Sequence, residues 1–177
     1  MFDTIPSLQC GRWTLKLDAP KIMAVVNVTP DSFSDGGRLG SMQQAIEFAL
    51  QAVAQGADML DIGGESTRPD AEPVSVDEEL SRVIPVIEAL AGQVDVPISI
   101  DTSKPEVMRA AVAAGATFIN DVFALRREGA LQAAAELNVP VCLMHMLGSP
   151  QTMQQDPHYD DVQVQVRQFL TERMFAC

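Results

Sequence analysis

The sequence has few cysteines and few basic residues, and each shortage excludes a class of protein. Its 177 residues include three cysteines, Cys10, Cys142 and Cys177, which lie far apart and form no C-x-x-C pair. This arrangement favours neither a disulfide framework nor a zinc site. The 12 Lys and Arg residues against 24 Asp and Glu give a formal net charge of −12, which opposes binding to nucleic acid or to an anionic membrane surface.

Long apolar runs are also missing. The segment 1–18 contains Asp3 and no apolar stretch of signal-peptide length, and no segment reaches the roughly 20 apolar residues of a membrane span. We therefore expect a cytoplasmic protein with no membrane partner. Apolar residues make up 47% of the chain, as in ordinary globular proteins, and no linker-like segment divides it, so we predict a single domain over residues 1–177.

Short apolar runs alternate with segments of helical periodicity. The runs, each read as a buried strand, are residues 22–26, 59–62, 98–100, 117–119 and 139–143. Between them apolar residues recur at three- and four-residue spacing, as at Leu80, Val83, Ile84 and Ile87. Strands that are apolar throughout and alternate with helices predict a parallel sheet covered on both faces.

Polar residues mark the ends of four of the five predicted strands. They are Asn27, Asp61, Asp101 and Asn120. The helix starts are marked separately by serines in capping boxes, Ser41, Ser75 and Ser103, each with Gln or Glu three residues later. The strand-end residues are therefore not needed as helix caps. In parallel α/β folds ligands bind at the carboxyl ends of the strands, so these four are candidate site residues.

The distribution of these residues favours one α/β architecture. No G-x-G-x-x-G or G-x-x-x-x-G-K-[ST] motif occurs, and polar residues on several strands indicate a (β/α)8 barrel rather than a nucleotide-binding sheet. A barrel needs eight strands and about 250 residues. We therefore expect an incomplete TIM-type barrel of about five parallel strands that stops early. Its open edges and uncovered inner face favour association, of which a homodimer is one form.

Two loops add groups suited to anions and flat rings. The first, residues 27–37, carries Phe33 among hydroxyls, carboxylates and glycines, and the second, residues 61–69, carries Arg68. The Arg68 guanidinium suits a phosphate or carboxylate because it presents five donors in a fixed fork. The alternative is that the loops are ordinary solvated connections, since Gly, Asp and Ser are common in turns.

Five ordered segments resemble one enzyme family. They are N-V-T-P-D-S-F-S-D-G-G at 27–37, D-I-G-G-E-S-T-R-P at 61–69, I-D-T-S-K-P at 100–105, I-N-D at 119–121 and L-M-H-M at 143–146. Together they closely resemble the bacterial dihydropteroate synthases, from about Lys21 to Asp161. The resemblance implies a transferase of folate biosynthesis. Such enzymes join 6-hydroxymethyl-7,8-dihydropterin pyrophosphate to p-aminobenzoate, release pyrophosphate and are sulfonamide targets.

The resemblance also implies roles for individual residues. Asp101 and Asn120 match the pterin-binding positions, and Met144 matches the position that packs on the pterin ring. Asn27 matches the residue that helps to hold Mg²⁺ near the pyrophosphate. Asp61 either supports this region or is a hydrogen-bonded structural group.

The two loops match those that close over the pterin substrate and form the p-aminobenzoate pocket. Phe33, Thr67, Arg68 and Pro69 stand at the matching positions. Arg68, with Asn27, is our candidate for a catalytic role, and the reaction that the resemblance implies is assisted by neutralising charge on the leaving pyrophosphate. His145, in the L-M-H-M segment, is expected to pack rather than to catalyse, and Lys104 is expected to be solvated in the first turn of a helix.

The chain lacks groups that the family places on later strands: a second pterin-binding Asp, a Lys in a Ser-Arg-Lys segment, and an Arg near the last strand. We therefore expect negligible activity from these 177 residues alone. Two alternatives stay open. One is a pterin-binding module related to the methyltetrahydrofolate-binding domains of corrinoid methyltransferases, and the other is a non-catalytic fragment.

Overall fold

The computed structural model describes residues 5–29, 37–66 and 73–177, and within the first helix it describes side chains from residue 42 onward. The strands are β1 Ser7–Cys10, β2 Trp13–Lys16, β3 Met23–Asn27, β4 Met59–Gly63, β5 Ile98–Asp101, β6 Phe118–Asp121 and β7 Val141–Leu143. The helices are α1 Gly37–Ala54, α2 Val76–Ala91, α3 Pro105–Ala114, α4 Ala130–Leu137 and α5 Val162–Ala176.

The five predicted strands are confirmed, within one or two residues at their ends. β3 to β7 form one sheet in chain order, and every neighbouring pair is parallel. A helix follows each of β3, β4, β5, β6 and β7. This is the repeated strand–helix unit that the alternating apolar pattern predicts.

The main core lies between the sheet and the helices. The outer-facing strand residues Leu60, Ile62 and Ile100 are fully buried in one cluster with Val83 and Ile87 of α2. Burying each such side chain stabilises the fold by about 1.5–3 kcal/mol. Because Leu60 and Ile62 face the helices, the residues between and beyond them on β4 face the opposite, inner side of the sheet.

The hairpin of β1 and β2 was not predicted. Its antiparallel register pairs Cys10 with Trp13, and Gly11, in the two-residue connection, has φ +59. Cys10 packs against Met59 and Phe118, the first residues of β4 and β6. The hairpin therefore covers the amino end of the inner face, away from the carboxyl ends of the strands.

The inner face is exposed beside the first strand. Within the described ranges β3 and β7 each pair with only one neighbour, and Val25 on β3 is 51% exposed while Cys142 on β7 is also exposed. The exposed apolar side chain of Val25 is part of the uncovered inner surface that we predict for an incomplete barrel. Helix α5 confirms the last predicted helix, but none of its side chains is buried, and Phe175 is 88% exposed.

Among residues 5–29, 37–66 and 73–177, no helix combines the length and the hydropathy needed to cross a bilayer.

One of the three predicted helix caps is confirmed. The Ser75 hydroxyl accepts a hydrogen bond from the Glu78 N–H at 3.2 Å at the start of α2. The other two predictions are wrong, because α1 begins at Gly37, four residues before Ser41, and α3 begins at Pro105. Ser103 is displaced from the cap because Pro105, with its fixed φ, suits the first helical position and makes Lys104 the N-cap.

Ser75→Ala is expected to reduce the free energy of unfolding by about 1 kcal/mol, because an N–H at the start of α2 loses its acceptor. Ser75→Thr keeps a hydroxyl at the cap and is the matched control. Urea unfolding followed by circular dichroism measures both variants. Equal stabilities for the Ala and Thr variants would show that the Ser75 hydroxyl does not act as a cap.

Candidate functional site

Three of the predicted site residues lie in one row across the carboxyl end of the sheet. Asn27 pairs with Gly63, Gly63 with Asp101, and Asp101 with Asn120. Residues in register on parallel strands point to the same face, here the inner face opposite the helices. The structure therefore brings Asn27, Asp101 and Asn120 together as the strand pattern predicts.

Gly63 occupies the place in this row where a side chain would fill the space between its neighbours. A Cβ atom on Gly63 would lie 3.5 Å from Asn27 Oδ1 and 3.6 Å from Asp101 Oδ2. The Asn27 amide oxygen and an Asp101 carboxylate oxygen therefore converge on the same small volume above Gly63. Two oxygen atoms that converge on one small volume are suited either to a ligand with several N–H groups or to a bound cation.

Asp61 lies deeper than predicted. It stands in the middle of β4, two residues before the strand ends, because the strand continues through Ile62 and Gly63 to pair with Asp101. Its side chain is 2% exposed, and Asp61 Oδ2 accepts a hydrogen bond from Asn120 Nδ2 at 3.0 Å. Asp61 Oδ1 is buried with no hydrogen-bond partner. The buried Ser99 hydroxyl, in register with Asp61 on β5, is the neighbouring group that can donate to this oxygen.

The site carboxyl groups ionise less readily than ordinary ones. Burial, together with the negative charges of Asp61 and Asp121, raises the pKa of Asp101 to about 7. Burial also raises the pKa of Asp61, against the lowering effects of the Ser99 hydroxyl and of the hydrogen bond from Asn120. Perturbed carboxyl groups gathered at one end of a parallel sheet are typical of a functional site.

Asp121, next to Asn120 in the chain, binds backbone groups of the following loop instead of facing the site. Its two carboxylate oxygens accept hydrogen bonds from the N–H groups of Phe123 and Leu125, both at 2.8 Å. These bonds fix the turn that follows β6. The I-N-D segment therefore divides into Asn120, which faces the site, and Asp121, which shapes the loop beside it.

A cavity of about 220 Å³ opens at the same end of the sheet. Its wall includes Asp101, Thr102, Ser103, Glu65, Phe123 and Arg127. Of the predicted polar residues it takes in Asp101 but not Asn27, Asp61 or Asn120, which lie on the open inner face. Arg127, whose guanidinium lies 4.6 Å from the centre of the Phe123 ring, is a cationic wall residue that the sequence pattern did not indicate.

Where the structure is described, no group of three or more His, Cys, Asp and Glu side chains is arranged to hold a metal ion. Asn27 Oδ1 is a neutral oxygen ligand close to the Asp101 carboxylate. A donor set this small fits Mg²⁺ that keeps waters and phosphate oxygens as its other ligands.

The part of the chain that builds this site also matches a known protein family. Residues 23–177 match the pterin binding enzyme family. The chain belongs to the pterin-binding enzymes. This result confirms the resemblance carried by the five ordered segments, and it covers every strand of the parallel sheet.

Named relatives of this pterin-binding chain are dihydropteroate synthases. The enzyme of Escherichia coli strain K12 is 53% identical over 164 residues, which are 93% of this chain and 58% of that protein. The structure of the Xanthomonas albilineans enzyme with 4-aminobenzoic acid is 59% identical with a TM-score of 0.90, over 98% of this chain and 61% of that one. A second structure from X. albilineans, in complex with 7,8-dihydropteroate, is 56% identical with a TM-score of 0.84, over 97% and 60%.

These likenesses confirm the predicted fold class, an incomplete TIM-type barrel with five parallel strands and flanking helices. The chain spans about three fifths of the length of these relatives.

The remaining predicted site residues are those of the two loops and Met144. Phe33, Thr67, Arg68 and Pro69 lie outside the described residues. Met144 follows β7 and is half-buried, and its N–H donates to the Asp121 carbonyl at 3.4 Å.

His145 lies among aromatic rings. Its ring centre is 5.0 Å from that of Phe169, edge to face, and 5.8 Å from that of Tyr159. These contacts are the packing role that the sequence predicts.

Lys104 corrects a sequence-based expectation. It was expected to be solvated, but it is 7% exposed, and its ammonium contacts the carboxylates of Glu65 and Glu79. Sequence reasoning missed this cluster because its members are 25 and 39 residues apart along the chain.

Proposed function

We propose that the chain provides the pterin-binding half of a dihydropteroate synthase site. The substrates would be 6-hydroxymethyl-7,8-dihydropterin pyrophosphate and p-aminobenzoate, and the products 7,8-dihydropteroate and pyrophosphate. The observation that carries the proposal is the convergence of Asn27, Asp101 and Asn120 at the carboxyl end of the inner face, with Asp61 beneath them.

The polar row suits the edge of a reduced pterin. An amino-pyrimidine presents adjacent N–H donors, and the two oxygens of the Asp101 carboxylate can accept them. The bond from Asn120 Nδ2 to Asp61 fixes the Asn120 amide, which leaves its carbonyl oxygen to accept a further N–H.

The proposed reaction is a substitution at the pterin methylene carbon. The bond from that carbon to the pyrophosphate oxygen breaks, a bond to the arylamine nitrogen forms, and the nitrogen then releases a proton. Since an aromatic amine is nucleophilic while neutral, this chain need not supply a general base. Catalysis depends instead on stabilising negative charge on the leaving pyrophosphate, for which we propose Arg68 and Asn27, and on excluding competing water.

Mg²⁺ fits this proposal as an ion carried by the pyrophosphate. Asn27 would hold it through Oδ1, and the bound ion would neutralise charge on the phosphate oxygens. We also propose Thr67, Phe33 and Pro69 as contacts for p-aminobenzoate and Met144 as a packing surface for the pterin ring. The homodimer and the cytoplasmic location stay predictions.

A second candidate function is pterin binding without turnover. The chain spans 58% of the E. coli enzyme, and cationic groups expected on later strands are absent from its 177 residues. Each well-placed charge of that kind contributes about a hundredfold or more to the rate. The corrinoid-type methyltetrahydrofolate module is not favoured by any observation, since the named relatives are synthases.

The 177-residue chain is expected to bind 6-hydroxymethyl-7,8-dihydropterin pyrophosphate in the presence of Mg²⁺ but to incorporate p-aminobenzoate at least 100-fold more slowly than the longer E. coli enzyme. Titration calorimetry measures the binding, and incorporation of radiolabelled p-aminobenzoate measures the turnover. The E. coli enzyme is the positive control. Turnover equal to that of the control would contradict the expected loss of activity, and absence of pterin binding would contradict the proposed function.

A further inference from the structure

A buried ionic cluster lies beside the polar row. Lys104 Nζ is 2.6 Å from Glu65 Oε2 and also bonds Glu79 Oε2. Glu79 is fully buried, and its second oxygen, Oε1, has no hydrogen-bond partner. Three charged groups with so little access to water are costly to bury, and well-packed apolar residues are often as stable or more so in such places. Fold stability alone therefore gives a weak reason for this cluster.

The cluster joins the segments that leave two neighbouring site strands. Glu65 stands two residues after β4 ends at Gly63, and Lys104 stands three residues after β5 ends at Asp101. Glu79, from α2, holds the same ammonium from the helical layer. The ion pair thus connects the two chain segments immediately beyond the strands that carry Asp61 and Asp101.

Further hydrogen bonds extend this connection on both sides. Glu65 Oε1 accepts from the Val74 N–H at 3.0 Å, so Glu65 also bridges the two described ends of the β4–α2 connection. The Lys104 N–H donates to Thr102 Oγ1 at 3.2 Å, and the Thr102 N–H donates to the Asn120 carbonyl at 3.1 Å. The strand ends that carry Asp61, Asp101 and Asn120 are therefore linked through the cluster.

The cluster also contributes to the electrostatics of Asp101. The negative charges of Glu79 and Glu65 raise the pKa of Asp101, in addition to burial and the charges of Asp61 and Asp121. Lys104 is the cation placed between Glu65 and Glu79. Without its positive charge, both carboxylates would act on Asp101 uncompensated.

We propose that Lys104, Glu65 and Glu79 form a positioning cluster that sets the spacing of the Asp61 and Asp101 strand ends in the pterin site. This inference rests on the proposed function, because it assigns the cluster to the same site. The three residues are positioning residues: they act through the site carboxyl groups.

The test compares three variants of the 177-residue chain with a distant control. Lys104→Met removes the shared cation, Lys104→Arg keeps it, and Glu65→Gln weakens one of the two ion pairs while preserving size. Glu136→Gln is the matched control, because Glu136 pairs with Arg109 at 2.8 Å on the exposed outer surface.

Four measurements report on each variant. They are the affinity for 6-hydroxymethyl-7,8-dihydropterin pyrophosphate with Mg²⁺, the titration of the Asp101 carboxyl carbon by ¹³C NMR, hydrogen exchange at the Val74 amide, and Tm. Lys104→Met is expected to weaken pterin affinity at least tenfold, to shift the Asp101 titration to higher pH and to speed Val74 exchange at least tenfold. Lys104→Arg is expected to keep pterin affinity and the rate of Val74 exchange within threefold of wild type. Glu136→Gln is expected to match wild type in all four measurements. Glu65→Gln is expected to weaken pterin affinity and to speed Val74 exchange, as Lys104→Met does, but to shift the Asp101 titration to lower pH, because it removes a negative charge that raises the pKa of Asp101. This variant keeps the test open if the Met variant does not fold.

The proposal is overturned if Lys104→Met or Glu65→Gln lowers Tm while pterin affinity and the Asp101 titration stay at wild-type values. That result would leave the cluster with a structural role alone. If the wild-type chain binds no pterin, the proposed function fails. In that case the Asp101 titration and Val74 exchange still decide whether the cluster positions these strand ends.

Discussion

Asp101→Asn is expected to weaken binding of the dihydropterin substrate about a hundredfold, equivalent to about 2.7 kcal/mol. The amide presents one acceptor oxygen where the carboxylate presents two. It also directs an N–H₂ group at a ligand edge that consists of N–H donors, so one donor of the ligand loses its partner on binding. Titration calorimetry with 6-hydroxymethyl-7,8-dihydropterin pyrophosphate measures the loss.

The same substitution is expected to stabilise the unliganded fold at high pH. The pKa of Asp101 is raised to about 7 in the folded chain by burial and by the neighbouring carboxylates, from an ordinary value of 3.8. The folded state therefore holds a proton that the unfolded state has released between these two values. The free energy of unfolding therefore falls as pH rises from about 3.8 to about 7. Above pH 7 it is lower than at pH 4 by an amount on the order of 2–4 kcal/mol.

Because Asn does not titrate, Asp101→Asn removes that loss above about pH 7 and changes little near pH 4. Urea unfolding at both pH values measures the difference. Asp160→Asn, at a carboxylate that is 95% exposed, is the control and is expected to change neither stability nor binding. Unchanged pterin affinity would remove Asp101 from the site, and lower stability at pH 8 would show that its charge is compensated in the folded chain.

Pterin affinity of the unmodified chain should follow the ionisation of Asp101. The carboxylate form accepts two hydrogen bonds, whereas the protonated form becomes a donor. Affinity is therefore expected to rise as pH increases through about 7, the raised pKa of Asp101.

Gly115→Ala is expected to cost about 3–5 kcal/mol of folding stability, a large share of the roughly 5–15 kcal/mol typical of a domain. Gly115 ends α3 with φ +123, a conformation that residues with a side chain rarely adopt. A Cβ there would also lie 2.6 Å from the Cβ of Ala91 at the end of α2. Strain and overlap therefore act together at the contact between the two helices.

Gly56→Ala separates the two causes. Gly56 has φ +103, but a methyl group at this position would meet no other atom within 4 Å, so its substitution introduces backbone strain without overlap, about 1–3 kcal/mol. Urea unfolding of both variants gives the cost of overlap as their difference. Equal losses would show that Ala91 moves aside freely and that strain alone limits Gly115.

The parts of the fold that were predicted are those with a local signal. The strands were predicted from short apolar runs, such as the one that forms β3, and a run of this kind is visible within a few residues. The β1–β2 hairpin was missed because its strands are only four residues long and half of their residues are exposed. Its contact with Met59 and Phe118 depends on residues far away in the chain.

The site divides in the same way. Asn27, Asp101 and Asn120 could be predicted because a polar residue after an apolar run is a local pattern. The depth of Asp61 depends on how far β4 continues beyond it, which pairing with β5 decides. Lys104 was misplaced because a lysine in a helix-starting segment is usually solvated, and its two carboxylate partners come from other elements.

The hairpin beneath the inner face divides β4 and β6 each into a lower stretch that contacts the hairpin and an upper stretch that forms the site. On β4, Met59 touches the hairpin cluster, whereas Asp61, two residues later, bonds Asn120. Changes at the first position alter folding, and changes at the second alter what is bound. Evolution toward a different heterocycle could therefore proceed by exchanging a few residues at the upper ends of the strands, while the lower ends keep the scaffold intact.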